Sequence, residues 1–445
     1  MLKTDNGSRS IAVVGSGIAG LSAAWLLSQH HDVTVFEIQD RIGGHSNTVD
    51  APTTNGLQPV DTGFIVYNEV NYPNLVALFD HLGVETEPSD MSFAVSYDDG
   101  ALEYGSRDLN ALFGQRRNIV SPRFWAMIRD IRRFYADAPL ILKTSDRFRD
   151  VSLGQYLDSN GYGVAFIEDF ILPMGAAIWS TRADEMQAHP VETFVRFFSS
   201  HGLMRFNNRI PWRTVKGGSR NYVRPLSKVL GANLKLGVGI RSIIRDKNGV
   251  TVVDTEGQGR RFDAIVIGAH ADEALEILSD ANDAERRLLG AFRYTDNKAI
   301  LHRDMRLMPK RRQVWSSWNY MGAAETGASV TYWMNSLQPI EKAFPLFVSV
   351  NPKIEPDPAS IFQEFDYAHP FYDLAALNAQ ESLWQLQGQR NTWFCGSYFG
   401  YGFHEDALQS GLAAAEDIGG VRRPWNVVNE SGRIHFLPKT RQAAE

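Results

Sequence analysis

Gly15-Ser16-Gly17-Ile18-Ala19-Gly20 has the spacing of a turn that accepts the pyrophosphate of a dinucleotide. Alone the pattern is weak, because 37 of the 445 residues are glycine, so its neighbours must decide. Ile11-Ala12-Val13-Val14 reads as a buried strand ahead of the turn, Gly20–Gln29 as a helix behind it, and Val33–Phe36 as a second strand ending at Glu37. That is one βαβ unit. Gly15 permits the tight turn, Gly17 lets the backbone N–H groups around Ile18 and Ala19 approach a pyrophosphate, and Gly20 lets the helix lie against the sheet. The helix N-terminus supplies unpaired donors and a positive dipole end. Glu37 accepts hydrogen bonds from ribose hydroxyls, and its charge disfavours a 2′-phosphate.

Arg41-Ile42-Gly43-Gly44 follows almost at once. It would bring a cation and more bare backbone to the same pyrophosphate, which an NAD site does not need. Further pieces are Val60-Asp61-Thr62-Gly63, Lys216-Gly217-Gly218, Cys395-Gly396, Gly402-Phe403-His404-Glu405-Asp406-Ala407 and Ser410-Gly411. In this order, from about residue 10 to residue 420, they resemble the flavoprotein superfamily of amine oxidases, phytoene-type desaturases and protoporphyrinogen oxidase. The resemblance implies FAD and an α/β fold: a Rossmann-like FAD-binding domain of discontinuous segments plus a mixed α+β substrate domain. It implies that Asp61, Thr62, Gly63 and Gly396 belong to the cofactor site and that the Val238 backbone meets the adenine. It also implies that a last helix, opening at Phe403, His404, Glu405 and Asp406, points its N-terminus at the flavin pyrimidine.

Asp61-Thr62-Gly63-Phe64-Ile65-Val66-Tyr67-Asn68, Leu301-His302-Arg303-Asp304, Trp315–Tyr320, Asn351-Pro352 and Gly402–Asp406 further resemble a bacterial group of NAD/FAD-binding proteins. Genes of that group sit beside cyclopropane-fatty-acid-synthase-like methyltransferases. This implies desaturation of a methyl-branched or unsaturated acyl lipid by hydride transfer to flavin N5. Two alternatives stay open: an amine oxidase, and a non-redox lipid or prenyl carrier on the same fold.

Desaturation needs a base for the second proton. A strand over Lys298–Asp304 would place Lys298, Ile300, His302 and Asp304 on one face. His302, with an ordinary pKa of about 6.5, suits a base that Asp304 orients, and Lys298 stands near the position of the amine oxidases' flavin-facing lysine. The other reading is a strand whose polar face meets water. His404 is a catalytic candidate through the family motif, with helix capping as its alternative. His45, after Gly44, could approach the flavin or be structural. Trp179, Phe194, Phe197, Phe198, Trp315, Trp318 and Trp333 could line a tunnel or fill a core. The lone cysteine, Cys395, excludes an internal disulfide and a multi-cysteine metal site, and no metal is expected.

The elements that must position these groups divide into an FAD-binding domain of residues 8–90, 205–270 and 385–425 and a substrate domain of 91–204 and 271–384. Apolar residues at 44% and charged residues at 22% are globular in composition, and the net charge of −6 argues against nucleic-acid binding. Ile11–Leu27 is uncharged but, at 17 residues with three glycines, reads better as strand, turn and helix than as a membrane span. The expected location is cytoplasmic, with peripheral membrane contact as an option. Residues 105–150 carry ten Lys or Arg against five Asp. Within them Pro122–Asp137 reads as a helix with Phe124, Trp125, Ile128, Ile131 and Tyr135 on one face and Arg129, Arg132 and Arg133 off it. Such a helix either lies on an anionic membrane or packs its apolar side inward.

Overall fold

Ile11–Val14 has no polar residue because the strand that contains it, Ser10–Val14, is central in a parallel sheet and covered on both faces. The structure, a computed structural model, describes residues 7–148, 150–179, 182–205, 210–323 and 327–436. The sheet runs Thr392–Phe394, Ala264–Ile267, Ser10–Val14, Asp32–Glu37, Leu234–Leu236, every neighbour parallel. Val14 stands opposite Phe36 on one side and Ile267 on the other, so four segments distant in sequence end at one edge. That edge, beyond the carboxyl ends of the strands, is where such sheets hold ligands.

The first helix, Ile18–Leu27, is buried at all ten positions. It lies between the sheet and the closing helix, His404–Ile418. Both contacts are backbone to backbone. A Cβ on Gly20 would stand 2.1 Å from the Gly15 carbonyl oxygen, and one on Gly411 would stand 2.2 Å from that of Ala19.

A second sheet of seven strands runs Ile361–Phe371, Arg293–His302, Phe347–Val350, Gly327–Trp333, Trp318–Ala323, Phe93–Tyr97, Leu102–Gly105. It is antiparallel except where Trp318–Ala323 meets Phe93–Tyr97. Its two faces differ. Ala299, Leu301, Val348 and Val350 enter the main apolar core, whereas Phe347 packs with Met308, Trp315 and Trp333 in a small cluster.

Helices cover part of this core. The helix Pro122–Lys143 begins at Ser121, whose hydroxyl accepts from the Phe124 N–H, with Pro122 in the first turn. It buries Phe124, Met127, Ile131, Phe134, Ala138 and Ile141. The apolar face is therefore rotated from the sequence expectation: Trp125 points outward, and Met127 and Phe134 take the inward line that a 3.6-residue period draws from Phe124. Among the described residues no helix is long and apolar enough to cross a membrane.

Gly411→Val would force the closing helix off the first helix. Strain of this kind costs about 1–3 kcal/mol, so thermal melting should show a clearly lowered Tm. Gly259→Ala, whose Cβ would meet only Thr251 at 3.9 Å, should melt close to wild type.

Candidate cofactor and active site

Gly15 takes a φ of +91°, donates its N–H to the Phe36 carbonyl at 2.8 Å, and leaves no room for a side chain, since a Cβ would lie 2.8 Å from the Gly268 oxygen. Gly17 is different. It is the N-cap of the first helix, no side chain caps that helix, and a Cβ on Gly17 would meet no protein atom within 4 Å. Gly43 and Gly44 lie directly beside it: the Gly43 N–H donates to the Ser16 carbonyl at 3.1 Å, and a Cβ on Gly44 would come within 3.0 Å of the Gly17 Cα. Arg41 donates to the Gly44 carbonyl at 2.7 Å. Glu37 accepts from the Ser16 N–H, the Ser16 hydroxyl and the Gln39 N–H at 2.8, 2.6 and 2.9 Å. These bonds fix the carboxylate at the strand end and leave part of its acceptor capacity open. The Val238 N–H donates to the Glu37 carbonyl at 2.9 Å. Gly15, Gly17, Ile18, Ala19, Gly20, Glu37, Arg41, Gly43, Gly44 and Val238 thus meet at one edge. An uncapped helix start over bare backbone, with an acidic side chain beyond it, fits an adenine dinucleotide.

The other acidic residues of the expected cofactor set bind protein instead. Asp61 accepts from the Thr48 hydroxyl at 2.6 Å, the Ser219 N–H and hydroxyl at 2.9 and 2.8 Å, and the Gln338 amide at 3.0 Å. Burial outweighs these bonds and pushes its carboxyl up to about 6. Glu405 accepts from the Asn74 and Leu75 N–H groups at 3.1 and 3.0 Å and so caps the helix Pro73–Leu82; the Asn74 and Gln409 amides add bonds of 2.8 Å each. Asp406 accepts from the Phe403 N–H at 2.8 Å and pairs with Arg433 at 2.7 Å. Asp61, Glu405 and Asp406 are expected at the cofactor site; their side chains are engaged by protein donors, as a buried carboxylate requires, which leaves their backbone and the elements they fix to serve that site. Their work is positional. Thr62 bonds the Tyr367 hydroxyl at 2.8 Å, and a Cβ on Gly63 would lie 2.2 Å from the His45 carbonyl oxygen. Gly396 seats the closing helix through Ser410, whose hydroxyl accepts from the Gly396 N–H at 2.9 Å. Cys395 is fully buried and its thiol is pushed up to about 12 by desolvation.

Between the two sheets lies a cluster of imidazoles. The His404 ring stacks on Phe64 at 3.8 Å, and its Nε2 lies 2.5 Å from the Tyr222 hydroxyl and 3.3 Å from that of Ser46. Burial lowers its pKa to about 3. His45 stacks on Tyr367 at 5.0 Å, with His369 at 5.2 Å and His270 at 6.3 Å. Its Nε2 is buried without a hydrogen-bond partner among the described residues. Desolvation first, then His369, His270, His404 and Arg41, holds it well below the ordinary imidazole value. His369 is lowered to about 4 by burial and by His270.

The tautomer of His369 follows from a chain of amides. The Lys298 N–H can only donate, and it donates to Asn351 Oδ1 at 2.9 Å. Asn351 Nδ2 therefore donates to Asn297 Oδ1 at 2.8 Å. Asn297 Nδ2 in turn donates to the Thr295 carbonyl at 2.8 Å and to His369 Nδ1 at 3.0 Å. Nδ1 is an acceptor, so neutral His369 carries its proton on Nε2.

Lys298 and His302 do share a face, as the period of two requires, but it is the face away from this imidazole cluster. Across the ladder Asn297 stands opposite Tyr367, whose ring stacks on His45, so Asn297, Ala299 and Leu301 face inward. Lys298 pairs with Glu364 at 3.1 Å on the outer side and is half exposed. His302 is buried under Phe347, with Nε2 2.8 Å from the Ser349 hydroxyl and a pKa lowered to about 4 by desolvation. The Asp304 carboxylate binds Arg306 and the Asp357 N–H; only its N–H meets His302 Nδ1, at 3.1 Å. The catalytic expectation for Lys298 and His302 is therefore overturned by which face the pleat turns inward. The aromatic set divides likewise. Trp179, Phe194, Phe197 and Phe198 pack together and reach the closing helix through Phe197 on Phe403 at 4.6 Å, whereas Trp315 and Trp333 lie with Phe347 across the sheet.

Asn297, Tyr367, His369, His270, Tyr222 and Ser46 were not anticipated as site residues, and Asn351 entered only through the resemblance. None of them belongs to a local motif whose spacing names a chemistry. Only the alternation of Tyr367 and His369 on one strand marks them as sharing a face.

With this geometry in place, the comparisons are direct. The sequence profile of the flavin containing amine oxidoreductases matches residues 18–311, more than half of the chain. The protein belongs to this family, and its cofactor is FAD, which the glycine cradle and Glu37 fit. It is 29% identical over 263 residues to "Putative flavin-containing monoamine oxidase AofH" of Mycobacterium tuberculosis, covering 58% of this chain and 56% of that protein. The alignment thus spans about half the length of that curated relative. Among solved structures, putrescine oxidase bound to putrescine superposes with a TM-score of 0.65 at 16% identity, over 92% of this chain and 99% of that one. A fatty acid isomerase from P. acnes gives 0.63 at 16%, over 94% and 99%. At those identities the likeness is one of fold.

Gly17→Val should abolish FAD retention, read from the absorbance of purified protein, while leaving Tm of the apoprotein near wild type, because its side chain meets no protein atom. A second outcome concerns pH. His404 and His369 are depressed in the folded state, so below about 6.5 the unfolded chain binds more protons and stability falls with pH. Asp61, raised to about 6, acts in the opposite direction between that value and the ordinary carboxyl range. The difference between wild type and His404→Gln isolates the imidazole: apoprotein Tm should fall less steeply in the variant as pH drops from about 6.5 towards 4.

Proposed function

We propose that this protein is an FAD-dependent oxidoreductase that desaturates an apolar substrate, a methyl-branched or unsaturated acyl chain. What supports the reading is the charge of this imidazole cluster and of the acids beside it. His45, His369 and His404 are all held towards the neutral form. Asp61, Glu405 and Asp406 are committed to protein donors, and Asn297 stands inward where a lysine could have stood. An ammonium group would find no free counter-ion among these residues, whereas an apolar chain would meet rings and neutral imidazoles. The aromatic stack of Phe197 on Phe403 borders the start of the closing helix and suits the same chain.

FAD, when bound, supplies the hydride acceptor. His45 is the base: its buried Nε2 has no partner among the described residues, and a neutral imidazole can accept the proton from the carbon next to the one that loses hydride. The electron pair of that second C–H bond becomes the double bond. His369, with Nδ1 engaged as an acceptor, keeps its Nε2–H and serves as a donor. Turnover then requires a two-electron acceptor such as oxygen. Amine oxidation is a second reading, favoured by the name of the M. tuberculosis relative and by the putrescine oxidase fold. A non-redox carrier is disfavoured by the complete cradle of Gly17, Glu37 and Gly43.

Anaerobic bleaching of the flavin spectrum tests this. Methyl-branched or unsaturated acyl lipids should bleach it and putrescine should not; bleaching by amines alone overturns the acyl reading in favour of the second. His45→Gln should slow flavin reduction about 100-fold with FAD retained, and His302→Ala should leave the rate unchanged.

A further inference from the structure

The helix Pro122–Lys143 is amphipathic twice over. Its inner line fills the core. Its outer line, Trp125, Arg129, Arg132, Ala136, Leu140 and Lys143, advances by three or four residues at each step and is exposed throughout. Trp125 and Leu140 are 49% and 56% exposed, unusual for residues of their size on a helix that has already buried six others. The stripe holds no acidic residue. The two acids of this helix are turned elsewhere: Asp130 is buried and accepts from the Gly163 N–H at 2.9 Å, and Asp137 lies beside the Tyr162 hydroxyl at 3.5 Å.

The loop before the helix extends the same surface. Ile119 and Val120 are 49% and 79% exposed. Trp125 donates its indole N–H to the Ile119 carbonyl at 2.8 Å and packs at 5.8 Å from Phe113, so the ring is held in place at the surface. Arg116 and Arg117 donate to the Phe113 and Ala101 carbonyls, which leaves their charge unneutralised by those contacts. Arg107 and Arg123 are paired, with Asp108 and with Glu168 and Asp169, as is Arg129 with Asp130. Even so, residues 105–150 carry five more basic than acidic side chains in a chain whose net charge is −6.

We infer that this face docks on an anionic phospholipid bilayer, with Val120, Trp125 and Leu140 entering the interface and Arg129, Arg132 and Lys143 meeting headgroup phosphates. An indole at the level of the headgroups, flanked by cations, is the arrangement interfacial helices use. The sign of the charge selects an anionic occupant, and a second copy meeting this face with its own would present the same cations and repel. The inference does not rest on the acyl-desaturation reading and survives its failure.

The test is sedimentation of the FAD-loaded protein with phosphatidylglycerol–phosphatidylcholine vesicles and with phosphatidylcholine vesicles. Binding should be about tenfold or more stronger to the anionic vesicles and weaken in high salt. Val120→Asp with Leu140→Asp should abolish it, and Arg129→Gln with Arg132→Gln should weaken it, each with FAD absorbance and Tm kept. No binding to anionic vesicles, or binding undiminished in both variants, overturns the inference, whichever substrate bleaches the flavin.

Discussion

The site exists because four backbones touch. A side chain on Gly15, Gly20, Gly268 or Gly411 would stand within 3 Å of a neighbouring backbone atom. These contacts draw the first helix onto the sheet, the Gly268 turn onto the first turn, and the closing helix onto the first helix. Together they bring residues near 15, 40, 268 and 404 to one edge. The first helix begins at this edge with no side-chain cap, so the same closeness that builds the edge leaves the helix's first N–H groups there as donors. Gly17 departs from this pattern in the informative way: it has space where the others have contact.

Charge is managed by a second constraint. A buried carboxylate needs donors, and every acidic residue deep in this region has them within the protein. Asp61 draws four groups onto one point and so fixes Thr62 and Gly63 under His45 and Tyr367. Glu405 joins the closing helix to the helix Pro73–Leu82, and Asp406 holds Arg433. With the acids so occupied, no free carboxylate among those three meets the imidazoles. His45, His369 and His404 are depressed chiefly by burial, which is the expected response of a base with no anion to stabilise its charged form.

How far the sequence was legible follows from what each signal can carry. The glycine turn, Glu37 and the Arg41-Ile42-Gly43-Gly44 element could be read because their chemistry is local, with turn, donor and acceptor lying within a few residues of each other. Several strands could be read from runs of apolar residues. The inward face of Arg293–His302 could not. Period two says that Lys298 and His302 share a face, but it does not say which face meets the cofactor; the pairing of Asn297 with Tyr367, seventy residues away, decides that. The helix Pro122–Lys143 failed for a similar reason. Trp125 is large and apolar, and periodicity alone placed it inside, whereas the core takes Phe124 and Met127 and leaves the indole at the surface. The resemblance puts Asp61, Glu405 and Asp406 at the cofactor site, but it carries no account of which protein donors their carboxylates meet.

The amide chain from Lys298 to His369 shows how a position can fix the state of a distant side chain without its own side chain reaching it. Lys298 contributes a backbone N–H, whose donor character is fixed by covalent structure. Each amide then has one orientation that leaves no donor facing a donor, and the order passes through Asn351 and Asn297 to His369 Nδ1. Reversing any one amide would set two donors against each other in a buried place, and the penalty for that is larger than the gain from a typical hydrogen bond. The fold thus determines which nitrogen of His369 holds the proton. His45 Nε2 has no such partner among the described residues, so the two neighbouring rings, 5.2 Å apart and tilted, are made chemically unlike by their hydrogen bonds.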